Sequence, residues 1–451
     1  MKNRKIVSII LALVLTLSAI SFSGCQTVPG GADPDRTYEY QGPGKGGSYV
    51  AGDGGAGVKF LTSRTFAPDR QKEAVEADFA AALADLTAKL LASCEKDNKD
   101  STMISSLSIV TALAMAANGA DGKTLDQMLN TIGCGLDLEG LNQQLFNFYA
   151  SLRNGKDASL KGANSVWLTN SPRYSVNENY LRRIENTFDA DIVSVDFTSP
   201  SVVDDINGWC SDKTDGMIPG IVDEKIVSPY TVMCLLNALC FDALWSMPIE
   251  DYAVSDGIFH GDDGNTTVKL MRTKEGRYVS GKNVTGFVKY YAGGDYAFVA
   301  LLPDEKVTVA DYLASLDGKT FIDLVKNASW EDVVALMPEF SSDYSVELND
   351  ILVSLGMTDA FDARFADFSG MGRMNDGGNV YISNVIHKTH IDVDQSGTRA
   401  AAVTAVTMAD ATAVQEHKEP KQVILDRPFV YAIIDTASGI PVFMGTCENV
   451  K

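Results

Sequence analysis

Apolar positions recur at helical spacing in the first third of the chain and as strand-like runs in the remainder. Phe79, Leu83, Leu86 and Leu90 repeat every three or four residues, which predicts an amphipathic helix with one buried face. Ser108 to Asn118 is alanine-rich and apolar, predicting a second helix that ends before Gly119. Thr124 and Gln127 have the spacing of a capping box and predict the start of a third. Farther on, Val232 to Phe241 is a nearly unbroken apolar run, and Phe287–Tyr291 and Tyr296–Leu302 flank a Gly-Gly turn. Phe429–Ile434 and Val442–Thr446 flank Thr436-Ala-Ser-Gly439 as a further hairpin. Helices first and strands afterwards is an α+β pattern. No repeat of fixed period and no linker after about residue 75 interrupt it, so residues 75–451 are read as one large domain.

The stretch Asp392 to Met408 is the one that pattern alone leaves open. It is small and bland for a dozen residues, without proline or aromatics, and its alanines suit a core helix. Read with period two, Thr398, Ala400, Ala402, Thr404, Val406 and Met408 share one face, and none is too large or too charged to lie between neighbouring strands. A segment that can slide into a sheet is the second reading.

The chain opens on Met1-Lys-Asn-Arg-Lys5 and an apolar run from Ile6 to Phe22, the charged and hydrophobic regions of a secretory signal. Its end, Phe22-Ser-Gly-Cys25, resembles a bacterial lipobox, in which a peptidase cuts before the cysteine and the cysteine is lipidated. Phe22 stands where that motif usually carries an aliphatic residue, while the small-small-Cys ending is kept. The resemblance implies a signal peptide over 1–24, a lipid anchor on Cys25 and a place at the cell envelope. Residues 25–74, with Val28-Pro-Gly-Gly31, Gly42-Pro-Gly-Lys-Gly-Gly47 and Gly52-Asp-Gly-Gly-Ala-Gly57, read as a flexible tether.

A net charge of −21 argues against a nucleic-acid-binding surface. Hydrophobic residues make up 45% of the chain, enough for a substantial core. Beyond Cys25, the cysteines Cys94, Cys134, Cys210, Cys234, Cys240 and Cys447 contain no CxxC pair, so neither a zinc site nor a redox motif is indicated. In extended chain Cys234 and Cys240 stand about 20 Å apart, too far to bridge. Buried free thiols are expected for several of the six.

Chemistry-bearing motifs are mostly decoys. His387 and His390 have opposite parity in a strand-like run, so their rings face opposite sides and share no metal. Ser93-Cys-Glu-Lys96 matches the bare SxxK pattern but falls at a helix end read as polar and frayed, and no SDN or KTG element accompanies it. Asp392-x-Asp394-x-Ser396-Gly397 starts like a calcium loop, yet its twelfth position is Val403 instead of a bidentate glutamate. No metal or cofactor is expected, and the chain reads as a binding or inhibitory protein and not an enzyme.

A set of collinear segments resembles the serpins, the large-loop protease inhibitors. They are Met103-Ile-Ser-Ser-Leu-Ser-Ile109 with Thr111-Ala-Leu-Ala-Met115; Ala163-Asn-Ser-Val-Trp167; Val195-Asp-Phe197; Ile206-Asn-Gly-Trp209 with Lys213-Thr-Asp-Gly-Met-Ile218; Asn237-Ala-Leu-Cys-Phe241 and Trp245; Leu301-Leu-Pro-Asp-Glu305; Met337-Pro-Glu-Phe340; Leu355-Gly-Met-Thr-Asp-Ala-Phe361; Ala366-Asp-Phe-Ser-Gly370; Ile382-Ser-Asn-Val-Ile-His-Lys388; and Arg427-Pro-Phe-Val430. They span Phe79 to Glu448.

The resemblance implies an α+β fold with three β-sheets, about eight or nine helices and an exposed reactive loop near the C-terminus. It implies a monomeric suicide substrate: a serine protease cleaves the loop, forms a covalent acyl-enzyme and is carried across the body as the loop becomes a new strand. Gly397-Thr398 then begins the hinge, and Ala400, Ala402, Thr404, Val406 and Met408 lie on the inserting face. Carried over residue by residue, Ser105, Ser108, Asn207 and His387 fall in the polar cluster under the central sheet, and Trp245 falls where the loop first enters it.

Some positions depart from the family pattern. Arg399 replaces a usual glutamate but is directed outward by its parity; Ser106 replaces a common proline, which loosens its turn; Gln395 and Ser396 replace commonly acidic residues. Counting forward from Gly397 by the family's usual loop length puts the scissile bond at Ala411-Thr412, whereas counting back from Pro428 puts it near His417. The forward count is preferred, because the inserting length must match the sheet while the distal side tolerates insertion. Ala411 suits the shallow pocket of an elastase-like or subtilisin-like protease. Cleavage after Met408 or Lys418 would instead indicate a chymotrypsin-like or trypsin-like target.

Overall fold

Alanine and leucine at helical spacing commit residues 77–151 mainly to helices, and β-branched and aromatic runs build the sheets after them, with further helices between the strands. The computed structural model describes residues 9–19 as backbone, and residues 58–61, 70–95, 101–152, 157–214, 216, 218–398 and 419–450 in full. Cys25, Ala400, Ala402, Thr404, Val406, Met408, Ala411 and Thr412 lie outside them.

The elements in chain order are β1 (Ile9–Ala19), β2 (Lys59–Phe60), α1 (Ala77–Glu95), β3 (Met103–Ile104), α2 (Ser106–Ala117), α3 (Gly122–Ile132), α4 (Leu138–Ser151), β4 (Ala158–Thr169), β5 (Tyr174–Val176), α5 (Glu178–Phe188), β6 (Ala190–Val195), α6 (Val202–Lys213) and β7 (Thr231–Leu244). There follow β8 (Val254–Gly261), β9 (Gly264–Gly281), β10 (Val284–Tyr290), β11 (Tyr296–Pro303), α7 (Val309–Ser315), α8 (Gly318–Lys326), β12 (Ser329–Pro338), β13 (Phe340–Glu347), α9 (Asn349–Ser354), β14 (Gly372–Met374), β15 (Val380–Val393), β16 (Gly397–Thr398), β17 (Lys421–Ile424), β18 (Phe429–Asp435) and β19 (Pro441–Cys447).

Eight strands form one sheet, running β13, β15, then β1 and the short β16, then β7, β4, β6 and β2. A second sheet of nine strands runs from β17 through β12, β9, β10, β11, β18 and β19 to β3, with β8 against β9, and β5 pairs with β14 as a third. The α+β class and the several sheets agree with the sequence reading.

The apolar run of β7 has a simple cause. Phe241, Leu239 and Leu235 face the main core, which α2 shares, and the alternate residues Ala238, Leu236 and Cys234 face a second core under α6. With both faces covered, alternation of polar and apolar residues disappears. In the second core the Trp167 and Trp209 rings meet edge to face at 6.4 Å.

Three local readings differ from the structure. Helix α3 starts at Gly122 with Asp121 as its cap, accepting from the Gly122 amide at 2.7 Å. Thr124 is instead buried and accepts from the Asp367 amide at 2.9 Å, and the Gln127 side chain accepts from the Asp359 amide at 2.7 Å. Tertiary partners thus took both groups of the apparent capping box. The distal part of the tether is docked, since Lys59–Phe60 pairs with β6 and the amides of Glu73 and Glu76 donate to Asn147 and Gln144 on α4. The end of α1 is not frayed either, because Cys94 and Glu95 are buried. The six cysteines after Cys25 are free thiols, and all but the half-buried Cys134 are buried.

Glu95 sits beside a second buried carboxyl, Glu448, just past β19. Thr446 Oγ1 donates to Glu95 at 3.0 Å, and Ser101 Oγ accepts from the Glu448 amide at 3.1 Å. Burial first, then the charge of Glu95, pushes the Glu448 carboxyl up to about 8 from an ordinary 4.5. The folded state therefore holds a proton that the unfolded chain releases near pH 4.5, so this site's contribution to stability falls as pH rises from about 4.5 to about 8. Glu448→Gln is expected to flatten that part of the stability–pH curve in urea titrations; an unchanged slope would refute the account of a proton held on Glu448.

Candidate functional site

The central feature is a slot between β7 and β15. Both strands run antiparallel to β1, which lies between them, so they are parallel to each other and one strand's width apart. The top of the slot is filled by β16, with Thr398 opposite Ala243 on β7 and Val393 on β15.

Sequence chemistry explains why the chain turns there. Asp394 accepts from the amides of Ser396 and Gly397 at 2.7 and 3.1 Å, closing a tight turn that sends β16 back alongside β15. Gly397 then passes so close to β7 that a Cβ would lie 2.2 Å from the Ala243 carbonyl oxygen. Only glycine permits that approach.

Thr398 is fully buried, and its hydroxyl lies 2.5 Å from that of Tyr291. Trp245 stacks on Tyr291 with ring centroids 4.4 Å apart, and its indole N–H donates to the Asp394 carbonyl at 2.9 Å. Beneath this platform Lys289 is buried 5.1 Å from the Trp245 ring, paired with Glu275 at 2.9 Å and donating to Thr273 at 3.1 Å. Gln395, which stands where an acidic residue is common, donates to Asp251 at 2.8 Å. Trp245 lies at the mouth of the slot, beside the hinge that the resemblance implies. Tyr291 and Lys289 were not singled out, although a lysine inside the run Phe287–Tyr291 was a visible anomaly.

Halfway down the slot lies the polar cluster. His387 is fully buried on β15, and its Nε2 accepts from the Ser105 amide at 3.1 Å, which requires the neutral ring. Burial alone holds its pKa down to about 3. Ser105 caps α2, accepting from the Ser108 amide at 3.3 Å, so the turn is held although Ser106 has replaced proline. Ser108 donates through its hydroxyl to Asn237, whose amide donates to Asn164 at 2.7 Å on the neighbouring strand. Tyr149 and Thr111 extend the network, their hydroxyls 3.1 Å apart. His390 lies on the other face of β15, between Asp343 at 2.6 Å and Asp392 at 3.2 Å. The two histidines are therefore separate, as their parity required.

One assignment needs correction. Asn207 belongs to α6, where its side-chain oxygen accepts from the amides of Ile221 and Val222 at 2.7 and 3.0 Å and its amide donates to the Val222 carbonyl. It braces the segment after α6 and takes no part in the cluster. The asparagine that does is Asn237, whose isolated polarity in the middle of an apolar strand was the available signal. Asn164, its direct partner across β4 and β7, is the second residue missed.

Comparisons with known proteins bear on this geometry. A family model described as serpin (serine protease inhibitor) matches residues 81–450. An uncharacterised serpin-like protein of Thermococcus kodakarensis is 32% identical over 360 residues, covering 78% of this chain and 82% of the relative. Leukocyte elastase inhibitor A of Mus musculus is 28% identical over 354 residues, covering 76% of this chain and 91% of its own. Among solved structures, the thermophilic serpin tengpin in its native state is 40% identical with a TM-score of 0.79, covering 87% of this chain and all of that one.

Proposed function

The chain belongs to the serpin family, whose members are generally protease inhibitors, and from that premise we propose that it inhibits serine proteases as a suicide substrate. The observation that carries the reading is the docked hinge: Thr398 already occupies the slot, in a defined register against both walls.

Continuing that register predicts the inserted state. Ala400 and Ala402 come opposite Phe241 and Leu239, on the side of the main core, where small residues enter without displacing packed groups. Thr404 comes opposite both Asn237 and His387, so the polar residue of the run arrives at the polar cluster. His387 Nδ1, buried without a partner among the described residues, would gain one there. Arg399 comes opposite Asp242 and Asp392 on the outer face, consistent with a hinge that accepts arginine in place of glutamate. Asp410 and Ala411 come opposite Thr231 and Val380, the first residues of β7 and β15. The slot is therefore as long as the forward count requires, which supports Ala411-Thr412 as the scissile bond.

Once β1 has left, adding a strand of the loop between β7 and β15 gives each of them a full ladder on that side, and this gain drives insertion. Inhibition succeeds when insertion outruns hydrolysis of the acyl-enzyme. Ala411 favours an elastase-like or subtilisin-like target, and the signal and lipobox features support a secreted protein anchored through Cys25 at the cell envelope.

The test is incubation of the secreted chain with subtilisin, elastase, chymotrypsin and trypsin in turn, followed by denaturing gels and mass spectrometry. A denaturant-stable complex with the first two and a released peptide beginning at Thr412 are expected. Cleavage and turnover by every protease, with no complex, would defeat the inhibitory reading.

A further inference from the structure

The slot is not empty below the hinge. Strand β1, 11 residues from the apolar N-terminal run, fills it and pairs with both walls. Ile10 lies opposite Cys240 and His390, Leu13 opposite Asn237 and His387, and Thr16 opposite Cys234 and Asn384. The register continued from Thr398 gives these same places to Ala401, Thr404 and Thr407. From Ile9 to Thr16 the N-terminal segment therefore occupies, residue for residue and with the same parity, the positions of Ala400 to Thr407. Irregularities enter only beyond, at Thr16/Leu17 on the β15 side and Leu17/Ser18 on the β7 side.

We propose that in the uncut chain the N-terminal apolar segment occupies the loop's slot and keeps the protein from acting as an inhibitor until that segment is removed. This rests on the inhibitory reading above. Two strands cannot share one ladder, so while β1 is paired only Gly397 and Thr398 can reach the sheet. A protease that cuts the loop then meets a full slot, the acyl-enzyme is not carried away, and water releases it. The segment is suited to the place, because residues 9–19 contain no charge and no proline and carry aliphatic residues at most positions. The register sets Leu13 opposite Asn237 and His387, where the loop would bring Thr404. The N-terminal region read as a secretory signal thus has a second use, as a plug that export removes.

The experiment compares the full chain, residues 1–451, with its Leu13→Pro and Leu13→Asp variants. Hydrogen exchange is read on residues 9–19, and complex formation with subtilisin on denaturing gels. In the full chain the segment is expected to exchange at least a hundredfold slower than an unpaired peptide, and subtilisin is expected to cut the loop without forming a complex. In both variants exchange of the segment rises toward the unpaired rate and the complex appears. Unprotected exchange of residues 9–19 in the full chain overturns the proposal, as does equal complex formation in the full chain and the variants. Protection with no complex from any of the three chains keeps the occupancy and overturns the inhibitory reading instead.

Discussion

In the chain from Cys25 onward, Thr398→Arg is expected to abolish the denaturant-stable complex that the inhibitory proposal predicts, while the loop is cleaved as fast as before. Thr398 is fully buried, is paired on both sides and has its hydroxyl against that of Tyr291. An arginine there would bring a charge into a site whose nearest groups are the Tyr291 hydroxyl and the stacked rings of Trp245 and Tyr291. Burying an unpaired charge costs several kcal/mol, roughly 3 to 5 where the comparable measurement is the loss of one partner of a buried pair. Each 1.4 kcal/mol is about tenfold in rate or population, so insertion would slow by about a hundredfold or more. Deacylation is untouched and overtakes it. Stoichiometry of inhibition and loop cleavage, measured in the same reaction, separate the two effects; unchanged inhibition would show that the hinge need not enter the sheet.

The second large effect is expected at Asn237, through stability and not through the loop. Asn237→Ala removes the acceptor of the Ser108 hydroxyl and the donor to Asn164, leaving two buried polar groups short of a partner. Such a loss costs about 1–3 kcal/mol per orphaned group, and a connected network loses more than one bond. A destabilisation of about 2–6 kcal/mol is predicted from urea unfolding. Because Asn237 ties β7 to β4 and, through Ser108, to α2, the variant is also expected to open the sheet more readily and self-associate on mild heating, read by native gels. The contrasting variant Asn207→Ala should destabilise the segment after α6 without that self-association. If the two behave alike, the polar cluster does not guard the slot.

How much of this was legible in the sequence follows from what each residue answers to. Leu83, Leu86 and Leu90 answer to the period of their own helix, and the runs of β7, β11 and β18 to burial on both faces, so pattern located them. Gly397 and Thr398 were expected as hinge through resemblance, and the structure gives each a local reason for its residue type: a backbone approach that excludes a Cβ, and a hydroxyl partner in Tyr291, one residue past β10. Thr124 and Gln127 misled because local spacing cannot show that Asp367 and Asp359 amides lie within reach. Asn207 misled because an asparagine in a matching segment says nothing of whether it points under the sheet or toward the segment beyond α6. The pairing of Ile9–Ala19 with β7 and β15 joins segments more than two hundred residues apart, and no periodicity carries that information.

The bland stretch after Thr398 is proposed to become a strand when it is cut. Thermal unfolding of the chain from Cys25 onward, before and after cleavage of the loop by a catalytic amount of protease, tests it most directly. An added central strand is expected to raise the unfolding midpoint by about 10 °C or more. A cleaved chain that unfolds at the same temperature as the intact one, or lower, would contradict insertion.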